Sequence, residues 1–216
     1  MSGNIATSSQ NLIMKQNPIV SLLAASLFLS IYSYGQTKKA VIDYLGLPGP
    51  IDFDSKSYNL SWTSHPSANY YKQEYIVSGD NLAKFTTMIM VELVTGDIKI
   101  KDAVAAKIEE LKKMKESNPI VNYESFDNPK TGEYMIDFLL SQNTPDGKDI
   151  SIAERNVYRY MPFAGKDGKK GIILFGISTR SYGDKIKPFL VSLKSKKSEL
   201  VNKIAQYKFP ELKLIK

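Results

Sequence analysis

The chain has 216 residues, of which 43% are hydrophobic, and carries a formal net charge of +7. This length and composition are typical of one globular domain with a sizeable core, and they exclude a chain that is disordered throughout. There is no cysteine and one histidine, His65, which excludes disulfides, thiolate metal sites and cysteine nucleophiles. We therefore expect no cofactor and no metal site, because one histidine without cysteine cannot make a typical zinc site.

Lysine supplies most of the positive charge. The 29 basic residues include three arginines, Arg155, Arg159 and Arg180, and the others are lysines. Lysine is the usual solvated surface residue, whereas the recognition of phosphates and bases favours arginine. We therefore expect a solvated, lysine-rich surface and no nucleic-acid partner. Weak attraction to an anionic envelope surface is the alternative interpretation.

The N-terminal segment differs from the rest of the chain. Its first 36 residues carry one charge, Lys15, and residues 19–34 form an uncharged stretch. Ser33 and Gly35 then place small residues at the two positions that a signal peptidase reads. This organisation is typical of a secretory signal peptide. We predict cleavage before Gln36 and export to the periplasm or the extracellular space.

The alternative is an uncleaved membrane anchor held by residues 19–34. This stretch is 16 residues long, which is shorter than the roughly 20 residues of a comfortable span. We therefore divide the chain into a signal peptide over residues 1–35, a lead-in segment over residues 36–57 and a single domain over residues 58–216.

Three strands are predicted at the start of this domain, over residues 58–63, 69–77 and 85–95. They are rich in β-branched and aromatic residues. The apolar period then changes to three and four residues, which predicts an amphipathic helix over about residues 100–117. The residues that carry this period are Ile100, Val104, Ile108, Leu111 and Met114.

Four further strands and a closing helix follow. The strands are predicted at residues 122–126, 133–141, 156–163 and 171–180, and the helix at residues 184–207. Short polar turns separate the later strands, which indicates antiparallel neighbours. Several strands are apolar on both faces, so we expect one helix on each side of the sheet. The predicted fold class is α+β, with a mainly antiparallel sheet.

This arrangement resembles the Mog1/PsbP-like fold, which includes small secreted or lumenal accessory proteins. The resemblance covers about residues 58–207 and is one of element order rather than of a specific motif. It implies a non-enzymatic binding or assembly role and carries over no functional residue. The elements that carry it are the helix at 101–116, the turn at 128–132, the strands at 133–141 and 171–180, and the helix at 184–207.

The chain contains only fragments of catalytic and metal-binding motifs. A serine triad would have to use His65, and residues 176–180 begin like a nucleophile elbow but place Arg180 at the second glycine position. Residues 165–171 lack the spacing of a phosphate-binding loop. Residues 52–54 and 146–149 each offer two aspartates, but neither is a complete calcium loop. We therefore assign no catalytic residue.

Aromatic residues are the remaining candidates for a binding site. If their rings cluster on one face of the sheet, they would form a platform for a sugar, a peptide or a partner protein. Ordinary packing within the sheet is the alternative. The candidates are Trp62, Tyr70, Tyr71, Tyr75, Tyr158 and Tyr160.

The leading hypothesis is therefore an exported, non-catalytic binding or accessory protein. Its partner would be a protein or a small ligand of the cell envelope, and a membrane only if the N-terminal segment is retained. One alternative is a hydrolase that uses carboxylates, which needs neither histidine nor cysteine. The other is an accessory subunit tethered to the membrane by residues 19–34.

The signal-peptide hypothesis predicts the mass of the mature protein. When the full chain is expressed in a bacterium and recovered from the envelope fraction, its intact mass should correspond to a chain that begins at Gln36. A full-length mass would contradict cleavage and would support the tethered alternative.

Overall fold

The computed structural model describes residues 41–215, which form a single antiparallel sheet of eight strands with one helix on each face. The predicted signal peptide, residues 1–35, lies outside the described residues. The elements are β1 (Ile51–Phe53), β2 (Lys56–Ser67), β3 (Tyr70–Val77), β4 (Thr87–Thr95), α1 (Ile100–Ser117), β5 (Asn122–Asn128), β6 (Glu133–Asn143), β7 (Ile150–Ala164), β8 (Lys170–Tyr182), a 3₁₀ turn (Gly183–Lys185) and α2 (Ile186–Gln206).

Two meanders meet at the middle of the sheet. The strand order is β1-β2-β3-β4-β8-β7-β6-β5, so that β8 pairs with both β4 and β7. The chain leaves β4 at the centre of the sheet and crosses one face as α1. It then re-enters the sheet as β5, at the edge farthest from β1. The predicted α+β fold with a mainly antiparallel sheet is confirmed.

Each helix covers its own layer of core. On the face covered by α1, which we call the α1 face, the helix packs through residues such as Val104 and Leu111. On the opposite face, the α2 face, Ile204 of α2 packs against the sheet together with the C-terminal residues. An inner strand therefore carries apolar side chains in both directions, as the sequence of β8 indicates.

β7 extends further than its sequence predicts. Pro162 is expected to end the strand or to lie at an edge, and β7 in fact continues to Ala164. Pairing with β6 begins at Tyr160, whereas Pro162 still pairs with Ile172 of β8. The proline thus lies where β7 has run past the end of β6, so that its missing N–H costs no ladder hydrogen bond.

The folded domain includes residues that the sequence assigns to a lead-in. Leu45 is fully buried, and its backbone N–H donates to the side-chain oxygen of Gln73 at 3.1 Å. Its carbonyl accepts a hydrogen bond from the backbone N–H of Lys213 at 2.8 Å. Gly46 has a φ of 64°, and a Cβ there would lie 2.7 Å from the Lys213 carbonyl oxygen. Close contact with the C-terminal residues therefore requires glycine at this position.

An aromatic cluster joins both ends of the domain to the sheet. Phe175 in β8 is fully buried, and its ring stacks on Tyr207 with a centroid distance of 4.9 Å. Phe209 lies 5.3 Å from it, and Phe53 of β1 makes an edge contact at 6.2 Å. One side chain therefore packs against β1 and against the residues that follow α2.

Truncation of Phe175 should be strongly destabilising. We expect Phe175→Ala to lower the free energy of unfolding by about 3–5 kcal/mol, because it leaves a cavity at a fully buried ring. Urea unfolding followed by circular dichroism would measure the loss. Val191→Ala is the control, since Val191 is 59% exposed and should change stability by less than about 0.5 kcal/mol. A loss below about 1 kcal/mol for Phe175→Ala would contradict this account of the cluster.

Candidate functional site

Helix α2 lies over the sheet with a cavity on either side, and both cavities extend beyond its first half, residues 186–195, along the second half. One cavity, of about 410 Å³, opens between α2 and strands β5 and β6. The other, of about 280 Å³, opens between α2 and strands β1, β2, β4 and β8. Leu193 and Arg155 line both cavities. We call the two cavities together the α2 groove.

The groove follows from the way in which α2 packs. Only Ile186 and Ile204 of this helix are fully buried. In the first half, Leu190 and Leu193 remain half-buried, so that apolar side chains line the cavities instead of filling the space above the sheet. The helix is also interrupted at Lys196, whose φ of −111° and ψ of 15° are not helical. The two halves of α2 therefore approach the sheet differently.

Arg155 forms the floor of the groove. It is 5% exposed and makes a bidentate pair with Asp137 of β6, with Nε–Oδ1 at 3.0 Å and Nη2–Oδ2 at 2.9 Å. Nη2 also donates to the Lys197 carbonyl oxygen at 2.5 Å, one residue after the interruption of α2. Nη1 makes no hydrogen bond to any residue within 41–215. A guanidinium carries five N–H donors, so Arg155 keeps donors for a ligand.

Arg159 provides an internal comparison on the same strand. It pairs with Glu133 in the same bidentate manner, with Nε–Oε2 at 2.9 Å and Nη2–Oε1 at 3.1 Å. Its Nη1 donates to the carbonyl oxygens of Ile204 at 3.0 Å and Tyr207 at 2.8 Å. Both carbonyl groups lie at the C-terminal end of α2, where that of Ile204 also accepts a hydrogen bond from the backbone N–H of Tyr207. Arg159 is therefore committed to structure through all three of its nitrogens.

Lysines surround the mouth of the groove. Lys197 reaches across the larger cavity to Glu124 of β5 at 2.9 Å, and Lys194 also lines it. On the other side, Lys203 contacts Asp54 at 2.6 Å, and Lys196 lines the smaller cavity. These exposed ion pairs contribute little stability. The mouth is nevertheless positively charged next to an apolar interior.

A second group of charges is buried on the α1 face. Glu92 is fully buried and accepts a hydrogen bond from the Tyr70 hydroxyl at 3.0 Å. Lys72 Nζ lies 3.0 Å from Glu74 and 3.7 Å from Glu92. Lys107 of α1, also fully buried, donates to Glu110 at 2.8 Å.

Burial governs the pKa values of this group. Desolvation raises the pKa of Glu92 above its ordinary value, against the lowering effect of the Lys72 charge. Desolvation also lowers the pKa of Lys107, against the raising effect of Glu110. Perturbed carboxylates in a pocket would favour a hydrolase. Glu92, however, lines neither cavity of the α2 groove, and α1 covers the group.

The aromatic candidates do not form one platform. Five of the six are buried, and alternation along the strands sends them to opposite faces. Trp62 is half-buried on β2, where Lys72 Nζ lies 5.8 Å from its ring centroid. Their placement supports the alternative of ordinary packing. The α1 face holds Tyr70, Tyr158 and Tyr160, and the α2 face holds Tyr71 and Tyr75.

The other polar candidates have local partners. His65 stacks on Tyr71 at a ring-centroid distance of 4.0 Å, and its Nδ1 lies 2.9 Å from the Tyr70 carbonyl oxygen. Ser178 lies in the interior of β8 and donates to the Asn156 side-chain oxygen at 2.5 Å. The glycine-rich residues 165–169 form the turn of the hairpin between β7 and β8. The part of the chain described contains no group of three or more histidine, aspartate or glutamate side chains that could hold a metal ion.

The site that the structure does reveal is not among the residues predicted from sequence. Arg155 alternates along β7 with Val157 and Met161, and all three point to the α2 face. The strand predicted from sequence begins at residue 156, so that Arg155 falls just outside it, whereas the observed strand begins at Ile150 and gives Arg155 an inward-facing position. A charged residue at such a position is a signal, since charged groups are seldom fully buried unless they are paired. The cavities themselves depend on the path of α2 and leave no such signal.

Comparison with known proteins identifies a family. A model of a protein family of unknown function matches residues 45–209. No curated protein and no solved structure matches the chain. The resemblance to the Mog1/PsbP-like fold therefore stays a prediction. Among residues 41–215, no helix is sufficiently long and apolar to cross a membrane.

The buried charges predict a dependence of stability on pH. Because the pKa of Glu92 is raised in the folded state, the unfolded chain releases this proton at lower pH than the folded protein does. The contribution of Glu92 to stability is therefore greatest below its ordinary pKa and declines as the pH rises towards the raised value. Glu92→Gln removes this titration. The free energy of unfolding of the natural protein minus that of the variant should therefore decrease between pH 4 and pH 8. Urea unfolding of both proteins at each pH would measure this difference. A constant difference would contradict the raised pKa.

Proposed function

The chain belongs to this family of unknown function, and we propose that it is an exported, non-catalytic binding protein whose ligand occupies the α2 groove. The observation that carries this proposal is the pair of cavities on either side of α2, with Arg155 lining both of them. Their volumes, about 410 and 280 Å³, are comparable to the range of roughly 300–1,000 Å³ that is typical of small-molecule sites.

The composition of the groove supports binding. Ligand sites are predominantly apolar with a small number of well-placed polar groups. Here Leu139, Leu190 and Leu193 supply apolar surface, while Arg155 supplies a buried donor. The floor is rigid, because Arg155 is fixed by Asp137 on one side and by the α2 backbone on the other. A ligand would therefore meet a preorganised site.

A hydrolase that uses carboxylates is the less favoured alternative. The larger cavity contains two carboxylates, Asp137 and Glu124, and each is already paired with a basic side chain, Arg155 and Lys197 respectively. Glu92, the carboxylate whose pKa is raised by burial, lies under α1 on the other face. The groove therefore supports binding better than it supports acid–base chemistry.

Export is the part of the proposal that rests on sequence. The uncharged stretch and the small residues at Ser33 and Gly35 support cleavage and a location in the periplasm or outside the cell. The alternative is a membrane tether formed by residues 19–34, and the intact mass of the recovered protein distinguishes this tether from a cleaved signal peptide. Either location would allow the groove to bind a ligand or a partner of the cell envelope.

Native mass spectrometry of the full chain recovered from the cell envelope would test the groove. We expect a bound small molecule, visible as a mass increment that is lost on activation in the gas phase. In Leu193→Trp, the indole ring would extend into the cavities that Leu193 lines, and the increment should disappear. Val191→Trp places the same ring at a position that is 59% exposed and should keep the increment.

The two variants separate the groove from other surfaces of the protein. If both variants retained the increment, the ligand would bind elsewhere and the proposed site would be wrong. If neither the natural protein nor the control carried any increment, the proposal of a small-molecule ligand would fail. Circular dichroism and urea unfolding would establish that Leu193→Trp is folded.

A further inference from the structure

We propose that the ligand of the α2 groove is an anionic amphiphile, in which a carboxylate binds Arg155 Nη1 and an apolar chain lies in the cavity between α2 and strands β5 and β6. This inference rests on the proposed function and specifies the chemical class of the ligand. It follows from the donors that remain on Arg155, from the charges around the cavity and from the apolar side chains of α2.

The first step concerns the donors on Arg155. Two of its three nitrogens are occupied by Asp137 and by the Lys197 carbonyl oxygen. Nη1 has no partner within residues 41–215, and the side chain is 5% exposed and lines both cavities. A cationic nitrogen in an environment that excludes most water binds an anionic oxygen more strongly than an exposed lysine does. A neutral ligand would leave this charged donor with a weaker partner.

The comparison with Arg159 shows that the free nitrogen is not a general feature of this strand. Both arginines lie on β7, both point to the α2 face and both make a bidentate carboxylate pair. At Arg159, Nη1 is bound by two carbonyl oxygens at the end of α2. At Arg155, the equivalent nitrogen belongs to a side chain that lines both cavities of the groove.

The second step concerns the balance of charge. The acidic side chains that line the larger cavity, Asp137 and Glu124, are paired with Arg155 and Lys197. Lys194 also lines this cavity, so that the lining carries three basic and two acidic groups. The uncompensated positive charge lies at the mouth, next to the helix. It favours a ligand with a single negative charge over a neutral or cationic one.

The third step concerns the rest of the ligand. Leu190 and Leu193 of α2 face Leu139 of β6 across the larger cavity. Both helical leucines are only half-buried in the protein alone. Burial of apolar surface is favourable, so an alkyl or aryl chain gains affinity in this cavity. The apolar wall and the cationic floor together match a molecule with one polar end.

Isothermal titration calorimetry with decanoate, decanol and decyltrimethylammonium would test the charge of the ligand. The three probes share an alkyl chain and differ in head group. We expect decanoate to bind about tenfold more tightly than decanol and the cation to bind most weakly. Binding of decanoate, but not of decanol, should weaken as the salt concentration rises.

Two pairs of variants locate the interaction. Lys194→Glu reverses a charge at the cavity and should weaken decanoate about tenfold while leaving decanol unchanged. Lys187→Glu reverses an exposed charge on the same helix outside both cavities and should change either probe by less than about twofold. Leu193→Trp should abolish binding of all the probes, whereas Val191→Trp should not.

Each outcome decides between the inference and the function on which it rests. If decanol bound as tightly as decanoate and Leu193→Trp abolished both, the groove would bind apolar ligands and the assignment of an anionic head group would be overturned. If no probe bound, the assignment of the ligand as an amphiphile would be wrong. The proposed binding function would then be decided separately, by whether native mass spectrometry detects a ligand from the envelope. If Lys194→Glu and Lys187→Glu had equal effects, the charge preference would be a property of the whole surface and the assigned site would be wrong.

Discussion

Two arginine–carboxylate pairs on the α2 face, one buried and one partly buried, determine how the closing helix is held. Arg155 and Arg159 lie on β7 among apolar neighbours, and each uses a carboxylate of β6 on one side and carbonyl oxygens of α2 on the other. Burial of an ion pair carries a desolvation penalty that apolar residues of similar size would not carry. A guanidinium, however, fixes both the direction and the distance of the groups that it binds. The helix is therefore positioned by its backbone at two points, and its first half is left to approach the sheet without filling the space beneath it.

The two faces of the sheet use buried charge in different ways. On the α1 face, Lys72 contacts Glu74 and Glu92. Lys107 of α1 pairs with Glu110, and the apolar residues of that helix close the layer. On the α2 face, the charges of Arg155 and Arg159 point towards a helix that has only two fully buried residues. The cavities of the α2 groove open beside the second arrangement, where Arg155 lines both of them. Ion pairs with buried members thus occur in both layers, and on the α2 face one of them lines the groove.

Local pattern predicts most of the elements, and long-range contacts explain the differences. The bounds of α1 follow from five apolar residues at helical spacing and from the Asn118-Pro119 sequence that ends it. β1 has three residues, too few for a periodic pattern, and the burial of Leu45 depends on partners more than twenty residues away. Alternation along β3 separates neighbours such as Tyr70 and Tyr71, which explains why the aromatic candidates do not share a face. The groove is a consequence of the way in which α2 crosses the sheet, and no local pattern encodes that crossing.

The interruption of α2 connects the anchoring of the helix to the site. Arg155 binds the carbonyl oxygen of Lys197, directly after the non-helical residue Lys196. The second half of the helix is fixed by Ile204 and Arg159, and the first half retains Leu190 and Leu193 as half-buried residues that a ligand can cover. A ligand that binds only the folded protein stabilises it by mass action, and the proposed ligand would contact Leu190 and Leu193 of the first half. The side chain that binds the carbonyl group next to the interruption also has a free donor, so that the proposed binding and the placement of the helix involve the same guanidinium.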